Sequence, residues 1–250
     1  MKSGIFLKKY LYCHEMKEKR LYQNMESHVS ESRMQKILQV SSERTRYLTV
    51  VLSNVFYTQN ISAVVRSCDC FGIQDLYIIG NSPSTHVNKH VAQGAYNWVD
   101  IHRNTFKPEE ETLNELKKQG YRIVVTLPEP GASSLHDFDI EKGKIAIVMG
   151  NEREGVSPVV KDMADEFLYI PMAGFSQSLN ISVSTAVILS ELTGKIRSSD
   201  LDWKLNEEDL GGLQYKWMKN SVKRGDRIEE EYLVRMDHPN DQGEDFLARK

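Results

Sequence analysis

The chain has 250 residues, of which 40% are hydrophobic and 27% charged, and a formal net charge of -3. That length suits one large domain or one domain with appendages, and no apolar run reaches the roughly 20 residues that a membrane-spanning helix needs. Three cysteines, Cys13, Cys68 and Cys70, cannot build a disulfide framework, and the apolar stretch at Ile5-Phe6-Leu7 is too short for a secretory leader, so a reduced, cytoplasmic protein is expected.

The charge is unevenly distributed. Residues 1–46 hold 10 Lys/Arg against 5 Asp/Glu, residues 47–197 hold 13 against 17, and residues 198–250 hold 9 against 13. A basic N-terminal arm (1–46), a main domain (47–197) and a C-terminal helical tail (198–250) follow from this division. The arm, with Arg33, Lys36, Arg44 and Arg46, suits an electrostatic grip on a polyanion, and charge alone suits a solvated leader equally well.

In chain order, residues 1–28 have weak periodicity and read as a flexible or helical extension. Met34, Ile37 and Leu38 then recur at helical spacing. Tyr47–Leu52 reads as a buried strand rich in β-branched residues. A helix begins near Asn60, with Ile61, Val64, Val65 and Cys68 on one face and Gly72 as its stop. Leu76–Ile79 is the next strand, and Pro108 opens an acidic helix that runs to Gly120. Tyr121–Thr126 and Lys144–Met149 are further strands. Ser157-Pro158 caps a short helix, Phe167–Ile170 is a strand, and Ile181–Arg197 is a long helix. Small helices are expected around Leu210–Trp217 and Ile228–Met236. The alternation over 47–197 predicts an α/β domain with a mainly parallel sheet flanked by helices.

Common nucleotide and metal motifs fail on their chemistry. Gly150–Ser157 has the glycine spacing of a phosphate-binding loop, but Val156 replaces the required lysine and Glu152 and Glu154 would repel phosphate. His86 and His90 lack the intervening glutamate of a zinc-protease helix and a third ligand, so no metal is expected. Three segments remain. Asn60-Ile-Ser-Ala-Val-Val-Arg66-Ser-Cys-Asp69-Cys-Phe-Gly72 places an arginine in an early helix, where pairing with Asp69 is the plain alternative. Gly150-Asn-Glu152-Arg-Glu-Gly155-Val is a glycine-acid turn after a strand. Ile170-Pro-Met172-Ala-Gly-Phe-Ser-Gln-Ser178-Leu179-Asn180-Ile-Ser-Val crowds polar side chains before an apolar helix. Capping by Ser178 or Asn180 would account for one of them, not for all.

Together and in this order, the three segments resemble the SpoU/TrmH family of the SPOUT superfamily, the RNA ribose 2′-O-methyltransferases. The resemblance spans about residues 33–197. It implies an α/β fold with a C-terminal trefoil knot, S-adenosylmethionine as cofactor, a homodimer, and an RNA substrate. A tRNA guanosine at position 18 of the D-loop is the expected target, with rRNA as the alternative and a non-catalytic RNA-binding module as the reading from another class. Matched by position, Arg66 is the catalytic arginine, with Asn60, Glu152, Ser178 and Asn180 around it. Thr126, Leu127, Gly150, Ile170, Met172, Ser178 and Leu179 fall on the loops that enclose the cofactor. Arg33 and Lys36 fall where tRNA-type members place basic contacts. Gly194 and Ile196 stand where the family carries basic residues, with Lys195 and Arg197 adjacent as the remaining RNA candidates.

The chemistry asks for a ribose hydroxyl in line with a sulfonium methyl, and that hydroxyl is a poor nucleophile until deprotonated. A guanidinium is a very weak base. Two roles stay open for Arg66: a base in a desolvated site, or a permanent cation that stabilises the developing alkoxide while water takes the proton.

Overall fold

The computed structural model describes residues 19–81, 86–151 and 153–237. The chain forms two compact units, residues 43–205 and the pair of segments 1–42 and 206–250.

The larger unit is built on a seven-stranded sheet in the order β3-β2-β1-β6-β4-β7-β5, with every neighbouring pair parallel. Its strands are β1 (Leu48–Ser53), β2 (Asp75–Ile79), β3 (Asp100–Asn104), β4 (Tyr121–Thr126), β5 (Ser133–Ser134), β6 (Lys144–Met149) and β7 (Glu166–Tyr169). Helices cover both faces, so the central strands are apolar on both sides. Period-two alternation sorts the side chains. Leu48, Val50 and Leu52 of β1 join Ile145, Ile147 and Met149 of β6 on one face. There they pack against α3 (Thr58–Phe71) and α7 (Ile181–Arg197). Val51, Ala146 and Val148 point the other way, onto Leu113 and Leu116 of α5 (Glu109–Lys118) and Val160 of α6 (Pro158–Asp162).

Gly72 ends α3 in a left-handed conformation (φ 77°), and a Cβ there would stand 2.5 Å from the Glu43 carbonyl oxygen. Ser157 caps α6 by accepting from Val160 N–H, with Pro158 at the first turn, as the sequence predicts. Pro108 sits one position earlier than expected, at the N-cap of α5. Two strands and a short helix escape the sequence pattern. β3 reads Asp-Ile-His-Arg-Asn and is half-exposed at the sheet edge, β5 is two residues long, and α4 (Lys89–Ala92) is a single turn.

The smaller unit consists of α1 (19–26), α2 (Glu31–Ser41), α8 (Glu207–Ser221) and α9 (Gly225–Asp237). Its buried apolar residues are Met25, Ile37, Leu213, Trp217 and Met218. Gln214 links the N- and C-terminal segments, accepting from Tyr22 Oη at 3.1 Å and donating to Ser41 Oγ at 3.0 Å. None of the described helices is long and apolar enough to cross a membrane.

Candidate active site

A cleft of about 290 Å³ opens where β4, β6 and β7 end, the usual ligand position in an α/β sheet. Thr126, Leu127 and Pro128 line it from the end of β4, and Leu168, Tyr169, Ile170 and Met172 from β7 and beyond. Met149, Gln177, Ser178, Leu179, Ser184 and Ile188 complete the wall. Six of the seven expected cofactor residues therefore lie on one cleft. Thr126 is held there by donating from Oγ1 to the Val148 carbonyl at 3.1 Å. The segment 171–179 is exposed, and its backbone enters no backbone hydrogen bond among the described residues. Its N–H and C=O groups remain open to a polar ligand, while the opposite wall is apolar.

Gly150 does not line the cleft, because it serves the turn itself. A Cβ at Gly150 would stand 2.3 Å from Gly155 C, so the two arms of the turn touch backbone to backbone. Asn151 N–H donates to Gly155 O at 2.9 Å and Gly155 N–H returns to Asn151 O at 3.1 Å. The Asn151 side chain accepts from the Arg153 and Glu154 N–H groups at 2.9 and 2.8 Å. Glu152 lies outside the described residues. Arg153 Nη2 reaches Tyr57 Oη at 3.5 Å, which sets this turn beside the one that leads into α3.

Asn180 caps α7 by accepting from Ser182 N–H, as the plain capping reading requires. Its Nδ2 also donates to Asn60 Oδ1 at 3.2 Å, joining the first and third segments across 120 residues of chain. Ser178 stands on the cleft wall two residues away. Arg66 is exposed on α3 and does not line the cleft. It does not take Asp69 as a partner, since Asp69 is bound by Arg44.

The expected RNA contacts divide sharply. Arg33 and Lys36 are exposed on α2, and Lys36 donates to Gln39 Oε1 at 3.5 Å. Arg44 is 1% exposed and bound to Asp69 and the Ile73 carbonyl, so its guanidinium is spent inside the fold. Arg46 pairs with Asp75 at 2.8 Å and Asp100 at 3.2 Å. Lys195 donates to the Leu135 and His136 carbonyls at 3.2 and 2.5 Å, and Arg197 to the Phe71 carbonyl at 3.0 Å. Burial opposes charge on Asp75, yet the hydrogen bond with His102 and the Arg46 guanidinium hold its carboxyl below the usual range.

Pro128, Met149, Leu168, Tyr169, Gln177, Ser184 and Ile188 line the cleft without having been expected there. Pro128, Met149, Tyr169 and Gln177 adjoin expected residues in the chain, whereas Leu168, Ser184 and Ile188 are brought to the cleft by β7 and α7.

A model of the SpoU rRNA methylase family matches residues 47–190. A tRNA (guanosine(18)-2′-O)-methyltransferase of Borreliella burgdorferi is 34% identical over 80% of this chain and 91% of its own. A protein of that same name from Aquifex aeolicus is 33% identical over 79% and 94%. The crystal structure of the A. aeolicus TrmH/SpoU tRNA modifying enzyme superposes with a TM-score of 0.69 at 32% identity, covering 77% of this chain and 98% of that one.

Proposed function

The chain belongs to the SpoU rRNA methylase family, and from that membership we propose that it methylates the ribose 2′-oxygen of guanosine 18 in tRNA, with S-adenosylmethionine as donor. The hydrogen bond from Asn180 to Asn60 carries the reading, because it joins the early helix to the segment that walls the cleft. The cleft fits the cofactor, with apolar walls for an adenosine and unpaired backbone groups over 171–179 for its polar edge. Leu127, Ile170, Met172 and Leu179 would hold the adenosyl part. The bound cofactor supplies a methyl group on a sulfonium, so the protein's share is placement and charge.

Arg66 stays cationic and stabilises the developing alkoxide, while water carries the proton away. Its exposure and its freedom from any partner among the described residues favour that role over a desolvated base. Asn60, Ser178 and Asn180 orient the ribose. Because Arg66 does not line the cleft, a second copy of the chain completes the reaction centre. Exposed Leu179, Val183 and Val187 and the neighbouring Phe56 and Tyr57 offer an apolar face for that homodimer. The trefoil knot belongs to the same reading. β7 enters the sheet between the earlier strands β4 and β5 before α7 crosses to α3, which supports it. The site of action is then the cytoplasm, on tRNA.

The test is methyl transfer to total tRNA and total rRNA, with the modified nucleotide mapped by mass spectrometry. Ribose methylation at guanosine 18 is expected. It should vanish in Arg66→Ala while cofactor affinity stays near wild type. Methylation confined to rRNA, or full activity in that variant, would overturn the assignment.

A further inference from the structure

We propose that Glu109 is a positioning residue for methyl transfer, resting on the function proposed above. Its carboxylate clamps the turn leading into the Arg66 helix to the turn that carries Gly150 and Glu152. Glu109 opens α5, a helix that carries none of the residues assigned to the reaction. Its Oε1 accepts from Ser53 Oγ at 2.5 Å and from Asn54 Nδ2 at 3.1 Å. Its Oε2 accepts from Ser157 Oγ at 2.6 Å. Ser53 ends β1 and Asn54 starts the turn into α3, whereas Ser157 directly follows the glycine turn after β6.

Each partner has a second engagement that gives the clamp leverage. Asn54 adopts a left-handed backbone (φ 54°), uncommon for a residue with a side chain. Its Oδ1 accepts from Asn81 N–H at 2.8 Å while its Nδ2 donates to Glu109. Ser157 Oγ accepts from Val160 N–H at 3.3 Å, leaving its hydroxyl proton for the carboxylate. Three side-chain donors thus converge on one acid, and an ionised carboxylate is the side chain with acceptor sites on both oxygens and no donor of its own.

The plain reading of Glu109-Glu110-Glu111 is acid at a helix N-terminus, favourable to the helix dipole. That reading treats the three alike, but the structure does not. Glu110 and Glu111 are exposed, and Glu109 alone turns inward onto the two turns. The cleft walls come from the ends of β4, β6 and β7, from the segment after β7 and from α7, and contain none of the clamp residues. The clamp therefore acts on the placement of Arg66 and Asn60 and spares the cofactor.

The test compares wild type, Glu109→Ala, Glu109→Gln and the control Glu110→Gln by steady-state transfer to tRNA. S-adenosylmethionine affinity is measured by calorimetry, and amide exchange is followed over 54–60 and 150–157. Glu109→Ala should lower kcat about tenfold or more with cofactor affinity within about threefold of wild type, and speed exchange in both turns. Glu109→Gln keeps an acceptor toward Ser53 and Asn54 and should restore part of kcat. Glu110→Gln should match wild type. Wild-type kcat in Glu109→Ala, or equal loss of kcat and cofactor affinity with no gain in the Gln variant, overturns the proposal. If Glu109→Ala fails to fold, Ser53→Ala, which deletes one of the three bonds, should show a smaller loss of the same kind, and its absence overturns the clamp. A wild-type enzyme inactive on every RNA would defeat the methyl-transfer reading instead. Amide exchange would still judge the clamp, and unchanged exchange would refute it.

Discussion

Replacing Gly150 by alanine tests a turn whose two arms touch backbone to backbone. The added methyl would lie 2.3 Å from Gly155 C, 2.4 Å from Gly155 O and 2.6 Å from Val156 N. Optimal contacts between such atoms are about 3.5–4.0 Å, so the arms must part by about 1 Å. All three obstacles are backbone atoms, so no side-chain rotation relieves them. Opening the turn breaks the two hydrogen bonds between Asn151 and Gly155. At about 0.5–1.5 kcal/mol each, that loss is about 1–3 kcal/mol, the same range as overpacking of a tight site. Urea denaturation should show the unfolding free energy falling by that amount, as a lower midpoint with an unchanged slope. Methyl transfer should fall further than the lost stability accounts for, because the Arg153 contact to Tyr57 ties this turn to the one that leads into α3. A loss below about 0.5 kcal/mol together with wild-type turnover would refute the reasoning.

Three other outcomes follow from the placement of charge and apolar surface. Asp75 is buried with a depressed carboxyl pKa, so its pairing stabilises the fold above the unfolded value of about 4 and is lost as pH falls through the folded one. Asp75→Asn should then cost stability at pH 7 but much less in strong acid, and a pH-independent gap between the denaturation curves would count against it. Val183→Glu with Val187→Glu places charge on the apolar face of α7 and should give a monomer in sedimentation with lost transfer activity; an unchanged dimer would move the interface elsewhere. Arg33→Glu with Lys36→Glu should reduce the slope of log affinity for tRNA against log salt by about 2, and an equal slope would leave those cations outside the interface.

The sheet's central strands were legible because burial on both faces demands apolar, β-branched runs, and β4 and β6 fall on the residues read from sequence. The edge strand β3 was not, since an exposed edge relaxes that demand and Asp100, His102 and Arg103 are tolerated there. The cofactor loops were legible through the crowding of polar residues before α7, though only the family resemblance assigned them a ligand. Cations were the least legible. Arg44, Arg46, Lys195 and Arg197 counted as surface charge in the sequence, and each has its donors turned onto carboxylates or carbonyls in the fold. Periodicity places a side chain on a face; it does not reveal which distant acid will meet it there.

The joining of segments far apart in the chain has one topological cause. β1 lies between β2 and β6, and β6 lies between β1 and β4, so parallel strands bring the turns after β1 and β6 side by side at one sheet end. The helix bearing Asn60 and Arg66 leaves from the first turn, and the Gly150–Gly155 turn is the second. β7 pairs with β4 on the far side, so the segment that follows it reaches the same end and closes the cleft. From there α7 must pack on α3, which carries Asn180 to Asn60. A slip of β6 by one residue would turn Ile145, Ile147 and Met149 from one core to the other. The register that sorts the two cores is therefore the same one that sets the ends of β1, β6, β4 and β7 beside one another.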